Sequence, residues 1–406
     1  MEELKATIKK STPLTPLTFL ERAAIVYSDC LSIIYNNTTY TWSDTNRRCL
    51  QAASAITTLG IRTSDVVSVV SPNVPAAYEL HFAVPMSGAI LNNINTRLNA
   101  SAISLILHHS QSKLVFVYHQ LSSLVLEALS LLPPHHPKPL LVLISDDNND
   151  NHNDNQSNQF CCTYEGLIKR GDPKFKWDPP ASEWDPIVLN YTSGTTSSPK
   201  GVVRCHRASY ISALDSLIDW SVPKQPVYLW TLPMFHSNGW SFTWAMAAVG
   251  ATNICLGHLD GGTIYHLIRQ HKVTHMCAAP VVLNMLINHH AQTTTSLLKN
   301  PVHFLTGGVE VESVLYTIPG VNEAAVVAQP HEFWGETPCA FVCFKNDVEG
   351  KPSEKEVIEY CRVRLPHYMV PKRVVFRDEL PKTSTGKTQK NVLREMARTM
   401  IQTSRL

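Results

Sequence analysis

Short apolar runs alternating with helix-spaced stretches restrict the fold of this chain more than any other feature. Residues 65–71 read Asp-Val-Val-Ser-Val-Val-Ser and predict a buried strand. A Pro-Asn-Val-Pro turn follows at residues 72–75, and residues 76–88 then place apolar groups at helical spacing. Residues 113–118, Lys-Leu-Val-Phe-Val-Tyr, predict the next strand. Alternation of this kind predicts an α/β fold: an open, mostly parallel sheet with helices on both faces. It runs to about residue 305, with a further strand ending at Tyr191. From residue 309 the texture changes. Residues 309–317 are helical, 324–328 and 339–345 strand-like, and 352–365 helical with Ser353 as the cap. The expectation is a large domain over residues 1–308 and a small α+β domain over residues 309–403.

Composition narrows the functional classes. The 406 residues are 44% hydrophobic and 17% charged, enough to bury the cores of two or three domains. A net charge of +2 without a long basic run argues against a nucleic-acid binder. Residues 225–257 lack Asp, Glu, Lys and Arg but contain Pro226, Pro233, His236 and Asn238. They read as enzyme interior, and no membrane span is expected. Ten scattered cysteines without a CxxC pair, and an opening without an apolar run, suggest reduced thiols inside the cell. The tract at residues 146–159, DDNNDNHNDNQSNQ, has nothing to bury and reads as a disordered surface insertion. Its His152 and aspartates lack the rigid scaffold a metal site needs.

The chemistry-bearing signal is Tyr191-Thr-Ser-Gly-Thr-Thr-Ser-Ser-Pro-Lys-Gly-Val202, a hydroxyl-rich loop after the predicted strand. Gly194 permits close backbone approach, the hydroxyls and amides donate to phosphate oxygens, and Lys200 adds positive charge. The spacing is not that of a P-loop, which disfavours an ordinary NTPase.

At these residues the chain resembles the adenylate-forming, AMP-binding acyl-activating enzymes, whose phosphate loop reads like YTSGTTGxPKGV. Here Ser197-Ser198 stand where a glycine is common. Thr41-Trp-Ser-Asp44, Ser71-Pro-Asn73, Asn92-Asn-Ile-Asn95, Leu232-Pro-Met-Phe-His-Ser237 and Lys382-Thr-Ser-Thr-Gly-Lys387 resemble further family landmarks in the family order. The nearest resemblance is to plant peroxisomal benzoate, cinnamate or butyrate CoA ligases. It implies a two-step reaction: a carboxylic acid and ATP give an acyl-adenylate and pyrophosphate, then CoA displaces AMP to form a thioester.

The resemblance also implies roles. Thr192, Ser193, Gly194, Thr195, Thr196 and Lys200 would surround the β- and γ-phosphates of ATP, with Thr196 helping to hold Mg²⁺. Lys387 resembles the mobile catalytic lysine of the small domain, and His236 the histidine that borders the acyl and adenylate sites. Trp240, Trp244, Met276 and the turn Cys277-Ala-Ala-Pro280, with Ala278 and Pro280, are read as lining the acid pocket. Ser404-Arg405-Leu406 has the form of the C-terminal address read by the peroxisomal import receptor, so the peroxisomal matrix is the expected location.

One departure is large. After Phe304-Leu-Thr-Gly-Gly308, family members continue with a Tyr-Gly-x-Thr-Glu segment, a ribose-binding Thr-Gly-Asp and a basic hinge. Here Val309-Glu-Val-Glu-Ser-Val-Leu-Tyr316, resembling the first helix of the small domain, follows at once. The adenylate-forming fold is therefore expected with part of it missing. This keeps a second reading open, a catalytically impaired isoform acting as a binding or dimerisation partner. A third, an adenylation domain feeding a carrier protein, is disfavoured because no carrier-domain serine motif follows Lys387.

Overall fold

In a computed structural model of the chain, the described residues are 12–146, 159–192, 200–287, 289, 301–305, 310–331, 335–345, 350–365, 370–382 and 388–403. They fall into two compact units, Met1–Cys277 with Ala291–Leu305, and Ala278–His290 with Thr306–Leu406.

In chain order, the strands of the first unit begin with Leu31–Tyr35 (β1), Thr38–Thr41 (β2), Val66–Val70 (β3), Ile90–Asn93 (β4), Leu114–Tyr118 (β5) and Leu140–Ile144 (β6). Cys162–Thr163 (β7), Pro186–Thr192 (β8), Lys200–Cys205 (β9), Val227–Leu229 (β10), Thr252–Ile254 (β11), His275–Cys277 (β12) and His303–Leu305 (β13) follow. They form two sheets where the sequence suggested one, ordered β7-β6-β5-β3-β4-β8-β9 and β13-β12-β10-β11-β1-β2. Both are parallel except at the antiparallel edge pairs β8–β9 and β1–β2.

The helix Pro75–Met86 explains why two sheets form. Pro75 pre-sets its first turn, and Ala76 through Met86 are all buried. A helix buried on every face must be covered on every side. This one touches strands of both sheets and joins Ile33, Tyr228 and Trp230 of one to Val67, Leu91 and Leu114 of the other in a common core. The predicted strands at 65–71 and 113–118 appear as β3 and β5. The Thr41-Trp-Ser-Asp44 landmark is a capping box. The Thr41 hydroxyl accepts from the Asp44 N–H at 3.1 Å while the Asp44 carboxylate accepts from the Thr41 N–H, starting the helix Trp42–Thr58.

The core holds charge as well. Glu79, wholly buried in the helix Pro75–Met86, accepts two hydrogen bonds from Arg48 at 2.6 and 3.1 Å and one from the Tyr164 hydroxyl at 2.8 Å. Arg48 also donates to both oxygens of Glu165. Burial pushes the Glu79 carboxyl up against the pull of the Arg48 charge.

The second unit carries a three-stranded sheet of Val321–His331 (β14), Gly335–Phe344 (β15) and Arg373–Phe376 (β16), with β14–β15 antiparallel and β15–β16 parallel. Alternation decides its layers. Ala324 and Val326 pack with Leu315 and Val357, whereas Ala325 and Val327 pack with Leu393 and Ala397. The helices Glu310–Tyr316 and Glu354–Arg362 therefore cover one face and Lys390–Thr403 the other. Ser353 caps Glu354–Arg362 in a second capping box, with Glu356.

Candidate active site

The hydroxyl-rich loop is held at its two ends by one hairpin. Thr192 ends β8 and Lys200 begins β9, and the antiparallel register places them directly opposite each other. Ser193, Gly194, Thr195 and Thr196 lie outside the described residues, as does Lys387. Strand β8 is parallel to β4, so the loop leaves from the carboxyl end of a parallel strand, where open α/β sheets take their ligands. The preceding residue is anchored too, since the Tyr191 hydroxyl is hydrogen bonded to Nδ1 of His109 at 2.6 Å.

His236 sits in the segment that follows β10 in the other sheet, and it is exposed. Asn73 fixes that segment. Its amide nitrogen donates to the carbonyls of Trp230 (3.0 Å) and Leu232 (2.9 Å), and its amide oxygen accepts from the Met234 N–H at 2.8 Å. The His236 N–H then closes a turn onto the Pro233 carbonyl at 3.1 Å. The Thr231 hydroxyl donates to the Cys277 carbonyl at 2.5 Å, tying the same segment to the end of β12. Three strand ends, those of β3, β10 and β12, are thus drawn together around the backbone that carries His236.

Beyond His236 the backbone turns left-handed, with φ of 48° at Ser237, 55° at Gly239 and 71° at Ser241, which is strained at the two serines. At Gly239 a Cβ would lie 2.5 Å from the Trp230 ring, so only glycine fits.

The acid-pocket expectations divide. Trp240 closes the short helix Ser237–Trp240 and Pro280 opens the helix Pro280–Ile287, and neither side chain is among those described. Cys277 and Ala278 are fully buried, and burial pushes the Cys277 thiol up to about 12, so it is no nucleophile at neutral pH. Trp244 and Met276 are core residues with no exposed surface, and the Trp244 indole donates to the His81 carbonyl. A cavity of about 790 Å³ opens at the carboxyl ends of β1, β5, β6 and β11, lined by Tyr35, Tyr118, Asp146 and His258 among others. None of the candidate catalytic, phosphate-binding or acid-pocket residues read from the sequence lines it. Asp146, read as the start of a solvated tract, is exposed and accepts from the hydroxyls of Tyr35 and Tyr118. Residues 147–158 of that tract lie outside the described residues.

Sequence reasoning also missed His81, which is wholly buried in the helix Pro75–Met86. The Ala77 carbonyl can only accept, so Nδ1 carries the proton (2.7 Å), and Nε2 accepts from the Asn93 amide at 2.9 Å. Burial pushes the ring down to about 4 from 6.5. Between those values the unfolded chain takes up a proton that the folded chain refuses. Stability should therefore fall as pH drops through this window, by about 3 kcal/mol for this group. Urea midpoints from pH 7 to pH 4 should fall less steeply in His81→Asn, and an equal slope would mean the ring is not the buried neutral group described.

Among the described residues no cluster of three or more His, Cys, Asp or Glu could hold a metal, and no helix is long and apolar enough to cross a membrane.

Two mostly parallel sheets sharing a core, with a hydroxyl-rich hairpin loop and a separate small α+β unit, make the adenylate-forming enzyme fold. Solved structures agree. An anthranilate CoA ligase in complex with anthranoyl-AMP superposes with a TM-score of 0.72 at 17% identity, covering 97% of this chain and 99% of that one. A benzoate CoA ligase from Burkholderia xenovorans gives 0.70 at 18%, covering 94% and 99%. The AMP-binding enzyme family matches residues 20–355. A 2-methylpropanoate–CoA ligase of Humulus lupulus is 46% identical, with 98% of each chain covered. A probable acyl-activating enzyme of Arabidopsis thaliana, described as peroxisomal, is 44% identical over 98% of this chain and 99% of its own. The chain belongs to the AMP-binding enzyme family, and its class is that of the ATP-dependent acid–CoA ligases. The alignment with the Humulus ligase runs over 544 positions against 406 residues here, so more than a hundred of them have no counterpart in this chain.

Proposed function

We propose that this chain activates a small carboxylic acid with ATP, forming an acyl-adenylate and then a CoA thioester. The observation that supports this most is the register of Thr192 opposite Lys200, which roots both ends of the hydroxyl-rich loop at the carboxyl end of a parallel strand. Negative charge shifts onto the departing pyrophosphate when the acid attacks the α-phosphorus. Donors from Thr192, Ser193, Gly194, Thr195 and Thr196 and the charge of Lys200, facing those phosphates, would lower that barrier. The Thr196 hydroxyl is the hard oxygen donor that Mg²⁺ accepts beside phosphate oxygens, and the ion would supply charge neutralisation there. His236 borders the acyl group on its clamped segment. Lys387 reaches the forming acyl phosphate in the first step only.

The test is acid- and CoA-dependent AMP release by the purified chain, with ATP–Mg²⁺ and a panel of butyrate, 2-methylpropanoate, hexanoate, benzoate and cinnamate. Lys387→Ala should lower adenylation by about a hundredfold or more while thioester formation from supplied acyl-adenylate persists. If both half-reactions survive, the role given to Lys387 is wrong. Lys200→Ala should raise the KM for ATP, and unchanged kinetics would sink the loop assignment. We also propose delivery to the peroxisome through Ser404-Arg405-Leu406, to be checked by the location of a fluorescent fusion with and without that tripeptide.

The unmatched alignment positions favour a second reading, an isoform that keeps the phosphate loop but lacks adenine and ribose contacts. Folded protein that releases no AMP with any acid of the panel would select it.

A further inference from the structure

The pair Cys161–Cys162 stands apart from the other cysteines. Six of the ten are buried, and the half-buried Cys30 and Cys205 each accept a hydrogen bond, from Gln225 and from the Ala208 N–H. Cys161 alone is exposed, and its sulfur lies 3.8 Å from that of Cys162. Both are fixed by backbone pairing, Cys161 through its N–H to the Leu141 carbonyl and Cys162 opposite Val142 in β7. The hydrogen bond shared with Cys162, with the Arg170 charge beside it, draws the Cys161 thiol down to about 7.

We propose that Cys161 and Cys162 form a modification site, at which a hydroperoxide oxidises Cys161 and Cys162 resolves the product to a reversible vicinal disulfide. The Cys161 thiolate attacks the peroxide, ROOH. An S–O bond forms as the O–O bond breaks, and the leaving alkoxide takes a proton to depart as ROH. The Cys162 thiol then attacks the sulfenic sulfur, closing the S–S bond and releasing water. The two sulfurs together lose the two electrons that the peroxide gains. Adjacent Cα atoms are only about 3.8 Å apart, short of the roughly 4.4–6.8 Å that relaxed disulfides span. The ring is therefore strained, and strained, exposed disulfides are the easily reduced ones. Its closure also bears on the next residue. The Thr163 hydroxyl accepts from the Gly166 N–H at 3.1 Å and caps the helix Tyr164–Arg170, which carries Glu165 to Arg48.

The full chain would be treated with equimolar hydrogen peroxide at pH 7 and its peptides weighed. The expected result is a loss of two hydrogens on the peptide holding both cysteines, reversed by dithiothreitol. Cys162→Ala should instead leave a sulfenic acid on Cys161 that dimedone captures, and Cys161→Ala should leave Cys162 unmodified. Iodoacetamide should label Cys161 about tenfold faster than Cys30. The Gly166 amide should exchange faster after oxidation. Oxidation falling first on Cys30 or Cys205, or no dimedone adduct on Cys161 in Cys162→Ala, would overturn the site. Unchanged Gly166 exchange would overturn its link to the helix cap.

Discussion

Asn73→Ala should lower stability by about 2–4 kcal/mol and acyl-CoA formation by about a hundredfold. The substitution leaves the Trp230 and Leu232 carbonyls and the Met234 N–H without the partner they have now, in a place where Asn73 is itself buried. An orphaned buried polar group costs its full desolvation, which sets the stability loss. Activity falls for a separate reason, because the segment so released carries His236, and displacement of a positioned group by about 1 Å is enough for such a loss. Asn73→Asp sharpens the test. It preserves shape and the bond from Met234, but sets a carboxylate oxygen against two carbonyl oxygens, so it should be at least as damaging as alanine. Urea melts and AMP-release assays on both variants check this. A fully stable, fully active Asn73→Asp protein would mean that the amide does not clamp the segment.

Arg48→Leu should cost about 3–5 kcal/mol, because it strands the Glu79 carboxylate in the core with only the Tyr164 hydroxyl beside it. Glu165 is less affected, being a quarter exposed (26%) and able to reach water. The informative comparison is the double variant Arg48→Leu/Glu79→Leu. Removing both charges removes the unpaired one, so the double variant should be more stable than Arg48→Leu alone. Should the double lose as much as the two singles combined, the penalty comes from packing, such as the lost contact of Arg48 over the Tyr40 ring at 4.5 Å, and not from charge.

Much of this was legible because its signals are local. The apolar run at residues 65–71 became β3, Ser353 caps its helix as expected, and the hydroxyl-rich loop starts from a strand end as the alternation predicted. The Ser71-Pro-Asn73 landmark was visible as a motif, but its work was not. Asn73 acts on Trp230, 157 residues away, and no spacing rule reports a contact at that range. His81 and Glu79 were hidden for a related reason. They occupy an otherwise apolar helix that reads as core, and only the partners Asn93, Arg48 and Tyr164 give them meaning. Composition reads Asp146 only as part of its tract, whereas the two tyrosine hydroxyls single out that one residue.

Local signals in the chain were enough for the family, the strand–helix alternation and the Ser353 cap of the helix Glu354–Arg362. Those follow from short-range sterics, periodicity and hydrogen bonds between near neighbours. Long-range packing settles that there are two sheets rather than one, that Asn73 holds the His236 segment, and that Trp244 and Met276 belong to the core. Each of these depends on which distant groups must satisfy one another once water is excluded.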